Sequence, residues 1–231
     1  MIGILGAMSV EIQGLMASLE QAKEQTVGRM RFVSGVLHDR DVVLAECGIG
    51  KVNAAACAQI LADEFGVTHV VNTGVAGSLD NRIEIGDVVV STDAVHHDMD
   101  VTGLGYAPGE VPQVGTVAFP ANDGMRERAV EACHQVVPEI GVFEGRVASG
   151  DQFIAERARK ARIKADFDAM CCEMEGAPIA QVCWLNEIPF VIVRAISDKA
   201  DGSKKVLYPI FEKRSAERCA KIVGELARRM A

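Results

Sequence analysis

Short apolar, mostly β-branched runs alternate along this chain with segments of helical periodicity. Runs that are almost continuously hydrophobic are typical of strands in a sheet that helices cover on both faces. The predicted strands span 2–5, 42–45, 69–72, 87–92, 142–148, 170–174 and 190–196. The predicted helices span 52–65, 123–136, 155–167, a segment that ends at 185, and 210–230. The alternation therefore predicts an α/β fold in which three layers form an α/β/α sandwich.

The length of the chain fits one domain without a linker. Its 231 residues, 49% of them hydrophobic, are enough to bury a sizeable core, so we expect a single domain over 1–231. A long loop or lid is predicted over 99–120, because that segment contains the breakers Gly103, Gly105, Pro108, Gly109 and Pro112. Loops of this length are usually functional.

Charge and hydropathy limit the partners. The formal net charge of -8 argues against nucleic acid, which needs clustered Lys and Arg to displace its counterions. The N-terminus lacks the basic start of a signal peptide, and no apolar run approaches the roughly 18 residues that a membrane span needs. We therefore expect a cytoplasmic protein that binds neither nucleic acid nor a membrane.

The potential metal ligands do not form a recognisable site. The seven cysteines are an odd set without a CxxC pair, so we interpret them as small buried hydrophobic residues. His96, His97 and Asp98 are adjacent, but neighbouring residues of a strand point to opposite faces and cannot easily share one ion. We expect no metal.

Two glycine-rich segments could suggest a nucleotide cofactor. Gly3 and Gly6 follow the start of a strand, but the GxGxxG fingerprint is incomplete. The segment 48–52 suggests a phosphate loop. However, Ala45 stands where such a loop has its first Gly, and Val52 replaces the Ser or Thr that would hold magnesium. We therefore expect no cofactor. Tight turns at strand ends still allow a ligand to approach the backbone closely, at Gly48, Gly50, Gly74 and Gly77.

Five segments, taken in order, carry a family resemblance. They are GAMSVE (6–11), CGIGKVNAA (47–55), NTGVAGSL (72–79), SGDQFI (149–154), and EMEGA with RAISDKAD (173–177 and 194–201). Together they resemble the nucleoside phosphorylase and nucleosidase superfamily, and within it the 5′-methylthioadenosine/S-adenosylhomocysteine nucleosidases. The resemblance implies a homodimeric enzyme with a nucleoside phosphorylase-like fold, an α/β/α sandwich around a twisted mixed sheet.

The resemblance also assigns roles to charged residues. Glu11 matches the carboxylate that activates water, and Asp198 matches the acid that protonates the adenine ring. Ser197 and Arg194 occupy supporting positions beside Asp198. Glu175 matches the residue that binds the ribose hydroxyls.

The apolar part of the implied site comes from several segments. Met174 matches a residue against the sugar, and Phe153 and Ile154 match positions that hold the adenine. The first segment adds Ala7 and Met8. The 5′-alkylthio pocket is implied to consist of Ile49 and Tyr208 with, from the partner subunit, Val101, Leu104, Tyr106 and Pro112. Val75 departs from the pattern, because many members carry Ser there, which removes a hydroxyl contact.

The chemistry of the bond explains why such acids are needed. When a ribose–adenine bond breaks, positive charge develops on the sugar and negative charge on the base, so an enzyme should supply a nucleophile at one end and a proton at the other. Glu11 and Asp198 suit these two tasks. Glu175 can accept hydrogen bonds from two ribose hydroxyls and stabilise the cationic sugar.

Two other functions remain open at this point, a phosphate-dependent purine nucleoside phosphorylase and a non-catalytic nucleoside-binding protein. A phosphate site would need Arg or Lys near the first glycine loop, but the first such residues are Lys23 and Arg29. Glu11 would also repel phosphate. The candidate substrates are methylthioadenosine, S-adenosylhomocysteine, 5′-deoxyadenosine and futalosine-type nucleosides.

Overall fold

The computed structural model describes residues 1–199 and 208–230, with side chains from 215 onward in the second range. Within these residues there are ten strands and six α-helices. The strands are β1 (Ile2–Gly6), β2 (Glu20–Val27), β3 (Met30–Leu37), β4 (Arg40–Glu46), β5 (His69–Ser78), β6 (Val88–His96), β7 (Ala118–Pro120), β8 (Val142–Ser149), β9 (Cys171–Glu173) and β10 (Phe190–Asp198). The helices are α1 (Ser9–Met16), α2 (Lys51–Phe65), α3 (Asp123–Val136), α4 (Arg157–Phe167), α5 (Gly176–Leu185) and α6 (Tyr208–Arg229).

All the strands belong to one mixed sheet, in the order β10-β6-β8-β9-β5-β1-β4-β3-β2, with β7 paired to β6. Because β5 also pairs with β10, the strands β10, β6, β8, β9 and β5 form a closed ring, from which β1, β4, β3 and β2 extend. β1 is parallel to β4 and β5, and β5 is parallel to β10. Antiparallel pairs join β2 to β3, β3 to β4 and β10 to β6.

Helices cover both faces of the sheet. Successive residues of β1 divide between the two faces, since Ile4 packs in the core under α1, α3 and α6, and Leu5 packs in the core under α2 and α5. Helix α4 covers a third cluster that includes Phe167. The predicted three-layer α/β/α arrangement is confirmed. All seven cysteines are buried and free, as predicted.

The region 9–37 departs most from the predicted elements, because it contains α1, β2 and β3. Strand β2 is exposed at every residue except Val27, so it has no apolar run to reveal it, and it lies at the edge of the sheet. In β3, Ser34 and Gly35 interrupt the hydrophobic run. Pairing of β2 with β3, and of β3 with β4, thus stabilises two strands that local propensity does not favour.

Two further boundaries were predicted wrongly. Strand β5 continues past residue 72 to Ser78, although Gly74 and Gly77 indicated turns, because β10 and β9 pair along this stretch. The loop predicted over 99–120 contains a short 3-10 helix at Thr102–Leu104 and ends in β7, which pairs with β6. Among the described helices, none combines the length and the apolar character needed to cross a membrane.

Parallel pairing places the carboxyl ends of β1, β4, β5 and β10 at one edge of the sheet. Open parallel sheets bind ligands at this edge. The segments that follow Gly6, Glu46 and Ser78, and the end of β10 at Asp198, therefore lie on the same side of the molecule.

The N-terminus of α3 offers a test of local stability away from this edge. Asn122 Oδ1 accepts a hydrogen bond from the Met125 N–H at 3.0 Å. Replacing Asn122 by Ala should lower the free energy of unfolding by about 1 kcal/mol, because the cap is lost. Asn122→Asp keeps an accepting oxygen and is the control, and thermal denaturation is the measurement. An alanine variant as stable as the aspartate variant would contradict the assignment of this cap.

Candidate active site

A cleft of about 660 Å³, its open mouth included, lies at the carboxyl edge of the sheet. This size is within the range of small-molecule sites. Its wall is formed by Ala7, Met8, Glu11, Ile49, Val75, Ala76, Gly77, Gln152, Phe153, Ile154, Cys172, Glu173, Met174, Glu175, Ser197 and Asp198. Six separate parts of the chain therefore contribute to one cavity.

Glu11 lies at the third position of α1, after the turn that follows β1, and is only 1% exposed. Its Oε2 accepts the N–H groups of Ala7 at 2.7 Å and Met8 at 3.0 Å, and its Oε1 accepts the Val75 N–H at 3.0 Å. Burial raises the pKa of Glu11, although Arg194 and these N–H groups oppose the change. A fixed carboxylate of raised pKa is suited to accept a proton from water.

Gly74 in β5 allows two functional side chains to approach each other. A Cβ at this position would lie 2.3 Å from Arg194 Nη1 and 2.4 Å from Glu11 Oε1. Any side chain would collide with both groups. The glycine therefore lets the carboxylate from α1 and the guanidinium from β10 share the space beside β5.

Arg194 is completely buried behind the wall of the cleft. Its Nη2 donates to Asn72 and Glu173, and lies 3.7 Å from Glu175 Oε2. Burial lowers the pKa of Arg194, but the carboxylates of Glu173, Glu175 and Glu11 raise it more, so the guanidinium stays charged. Its Nε and Nη1 have no hydrogen-bond partner within the part of the chain that the structure describes.

Glu173 and Glu175 lie at the junction of β9 and α5. Glu173 Oε2 accepts the N–H groups of Glu175 at 3.0 Å and Gly176 at 2.8 Å, and so caps α5. Glu175 Oε1 accepts the Gly50 N–H at 3.0 Å. Burial and then the charge of Glu173 raise the pKa of Glu175, against the effect of Arg194. The cluster thus holds three carboxylates, counting Glu11, around one guanidinium.

Asp198 ends β10 at another side of the cleft. Its Oδ1 lies 3.4 Å from Ser197 Oγ, and its Oδ2 forms an ion pair with Lys160. A Cβ on Gly77 would lie 3.0 Å from both carboxylate oxygens, so the carboxyl group rests against the backbone of β5. Asp198 therefore contacts β5 at Gly77, whereas Glu11 binds the same strand at the Val75 N–H.

The apolar wall is open toward solvent at two side chains. Ile49 is 53% exposed and Phe153 is 68% exposed, although both line the cleft, whereas Ile154 and Val75 are buried. The backbone N–H of Val75 binds Glu11, and its side chain adds no hydroxyl. The cleft thus combines charged groups at its base with an apolar surface at its mouth.

The structure brings most of the predicted site residues to this cleft. Arg194 lies behind the wall instead of in it. The predicted contribution of the Tyr208 side chain lies outside the described residues. The four loop residues implied for a partner's site do not line this chain's own cleft; they are Val101, Leu104, Tyr106 and Pro112.

Sequence reasoning missed two charged groups. Glu173 was included in the segment EMEGA but received no role, although it binds Arg194 directly. Lys160 lies in the charged helix α4, whose sequence RARKARIKADF gives no sign that one lysine is buried. Among residues 1–199 and 208–230, no group of three or more His, Cys, Asp or Glu side chains is arranged to hold a metal ion.

Comparisons with known proteins agree with this geometry. The sequence matches the Phosphorylase superfamily over residues 1–228. It is 39% identical over 227 residues, 98% of each chain, to the 5′-methylthioadenosine/S-adenosylhomocysteine nucleosidase of Staphylococcus aureus. It is also similar to the Neisseria meningitidis nucleosidase of the same name in complex with methylthio-immucillin-A, with 39% identity, 99% of each chain covered and a TM-score of 0.94.

A third similar structure carries a different substrate name. The futalosine hydrolase of Helicobacter pylori is 32% identical, with 99% of this chain and 97% of that chain covered and a TM-score of 0.92. These likenesses span nearly the whole chain and include the segments that form the cleft. The chain therefore belongs to the phosphorylase superfamily and, within it, to the 5′-methylthioadenosine/S-adenosylhomocysteine nucleosidase family.

Proposed function

We propose that this protein is an N-glycosyl hydrolase that cleaves methylthioadenosine and S-adenosylhomocysteine, and also 5′-deoxyadenosine, releasing adenine. The observation that carries the proposal is the meeting of Glu11, Glu175 and Asp198 in one cleft from three distant segments. The reaction needs a nucleophile, a stabilised cationic sugar and a proton for the base, and these acids supply the three requirements at separate places.

The order of the groups sets the orientation of the substrate. Adenine binds beside Phe153 and Ile154, with its ring nitrogen toward Asp198. The ribose lies against Met174 with its hydroxyls on Glu175. This orientation puts the anomeric carbon between Asp198 and Glu11.

The reaction then involves two proton transfers, one from Asp198 and one to Glu11. The electron pair of the C–N bond leaves with adenine, and Asp198 protonates the ring nitrogen. Water attacks the anomeric carbon and gives its proton to Glu11, which three backbone N–H groups hold in place. The excess of carboxylates around Arg194 stabilises the positive charge that develops on the sugar.

The charges favour water over phosphate as the nucleophile. No Lys or Arg is among the described residues that line the cleft. Arg194 reaches Glu11 from β10, which the spacing of basic residues along the sequence did not indicate, but it is already bound by Glu173 and Asn72. A phosphate would therefore meet a surplus of negative charge, and a phosphorylase is not favoured.

The exposed mouth supports a homodimer. Leu104 in the loop after β6 is 78% exposed, and it lies outside the cleft of its own chain. Ile49 and Phe153 at the mouth of the cleft are also exposed and apolar, and a second copy would cover side chains of this kind. We propose that Val101, Leu104, Tyr106 and Pro112 complete the partner's 5′-alkylthio pocket.

The remaining proposals concern the setting of the enzyme. We propose that residues 1–231 form one domain and that the protein acts in the cytoplasm. We also propose that it has no nucleic-acid partner, and the net charge of -8 supports this last point. The similarity to a futalosine hydrolase makes futalosine-type nucleosides the first further substrates to compare.

The choice of nucleophile can be tested by product analysis. In phosphate-free buffer, methylthioadenosine should give free adenine and methylthioribose, because Glu11 activates water. Adding phosphate should leave both the rate and the products unchanged. Formation of a ribose 1-phosphate that depends on added phosphate would contradict hydrolysis, and binding without any product would indicate a non-catalytic protein.

The role of Glu11 can be tested by substitution and pH. Glu11→Gln should lower kcat by about 10² to 10⁴, with a smaller change in KM, because the amide cannot accept the water proton. The exposed Glu46, changed to Gln, is the control. Burial raises the pKa of Glu11, so wild-type activity should fall on acidification at a pH above the ordinary glutamate value of 4.5. A Glu11→Gln protein with near-normal kcat would exclude the proposed base.

The oligomeric state can be measured by analytical ultracentrifugation. The wild type should sediment as a dimer, and Leu104→Asp should weaken association and raise KM for methylthioadenosine together, since both depend on the same loop. Thr26→Asp on the exposed strand β2 is a control for added charge outside this loop. A fully active wild-type monomer at assay concentration would refute the shared site.

A further inference from the structure

One of the cationic side chains of helix α4 is buried. Arg162 is 82% exposed at its side chain, and Lys164 pairs with Asp80 and Asp168 away from the cleft. Lys160, in contrast, is 1% exposed. A buried ammonium needs close compensation by acceptors, because it has lost its water.

The partners of Lys160 lie at the active site. Its Nζ forms an ion pair with Asp198 Oδ2 and donates to the Lys199 carbonyl oxygen at 2.7 Å. Within the part of the chain that the structure describes, Asp198 Oδ1 has only the weak contact to Ser197 Oγ at 3.4 Å. The two carboxylate oxygens therefore have different partners: one is held by a buried cation and the other is available to a ligand.

We propose that Lys160 is a positioning residue for Asp198, which fixes Oδ2 so that Oδ1 presents the proton to adenine and then stabilises the carboxylate that remains. This inference rests on the proposed function, in which Asp198 is the proton donor. When the proton moves from Oδ1 to the ring nitrogen, the C–N electron pair stays on adenine, and Lys160 keeps its own protons. Its attraction to Asp198 grows as the carboxylate forms, so it acts mainly on the transition state.

Among the described groups near Asp198, Lys160 is the cation that acts on its carboxylate. Cys172 on β9 lines the cleft nearby, but burial raises the pKa of its thiol to about 12, so it stays neutral. The Lys199 ammonium is directed to Glu84 Oε1 at 2.6 Å. Glu173 also acts on Cys172, but its carboxylate is paired with Arg194.

The test compares Lys160→Met, which removes the charge, with Lys160→Arg, which keeps it. With methylthioadenosine as substrate, Lys160→Met should lower kcat about 10- to 100-fold and change KM by less than about threefold. Lys160→Arg should recover most of kcat, and Lys164→Met, one turn further along α4, is the matched control.

A double mutant shows whether Lys160 acts through Asp198. In the Asp198→Asn background, Lys160→Met should cause less than about a threefold further loss, since the group it serves is gone. Equal losses in both backgrounds, or Lys160→Met and Lys160→Gln proteins with normal kcat, would overturn this inference while wild-type hydrolysis stands. A wild type that releases no adenine would overturn the proposed function, and this inference with it.

Discussion

The pairing of the buried Arg194 guanidinium with carboxylates is the interaction on which the rest of the site depends. A guanidinium without solvent is stable only if carboxylates compensate it, and removal of a partner from such a group is strongly destabilising. Glu173 and Asn72 bind it directly, Glu175 lies 3.7 Å away, and Glu11 shares the space that Gly74 leaves beside β5. One charge on β10 thus fixes the relative positions of α1, β5, β9 and the start of α5.

The separation of charges within the cleft matches the separation of charges in the reaction. Around Arg194, three carboxylates outnumber one cation, which suits a sugar that becomes positive. At the other side, Asp198 is paired with Lys160, which suits a base that becomes negative. The backbone of β5 lies between the two groups, because Val75 donates to Glu11 and Gly77 contacts Asp198. A single strand therefore spaces the two halves of the chemistry.

The sequence predicted the buried strands of the sheet better than the exposed strand at its edge. β1, β4, β6 and β10 are rich in buried apolar residues, and the hydrophobic pattern located each of them. The pattern also located β8, although only its C-terminal half is buried. β2 is exposed and polar, so its structure comes from pairing with β3 and leaves no periodic signal. In β5 the local preference of glycine for turns was overridden by partners on both sides.

By itself, the sequence determined the alternating element pattern and the family resemblance, and it put forward Glu11, Glu175 and Asp198 as candidate site residues, because each lies in a segment whose residue order is informative locally. Only the tertiary structure decided how charges from distant segments combine. Arg194 stands beside Ser197 and Asp198 in the sequence, yet its guanidinium reaches Glu173 and approaches Glu11. Lys160 reads as one cation among many on α4, yet packing buries it against Asp198. Burial and ion pairing depend on which side chains meet across the fold, and that is not encoded in the spacing of residues along one segment.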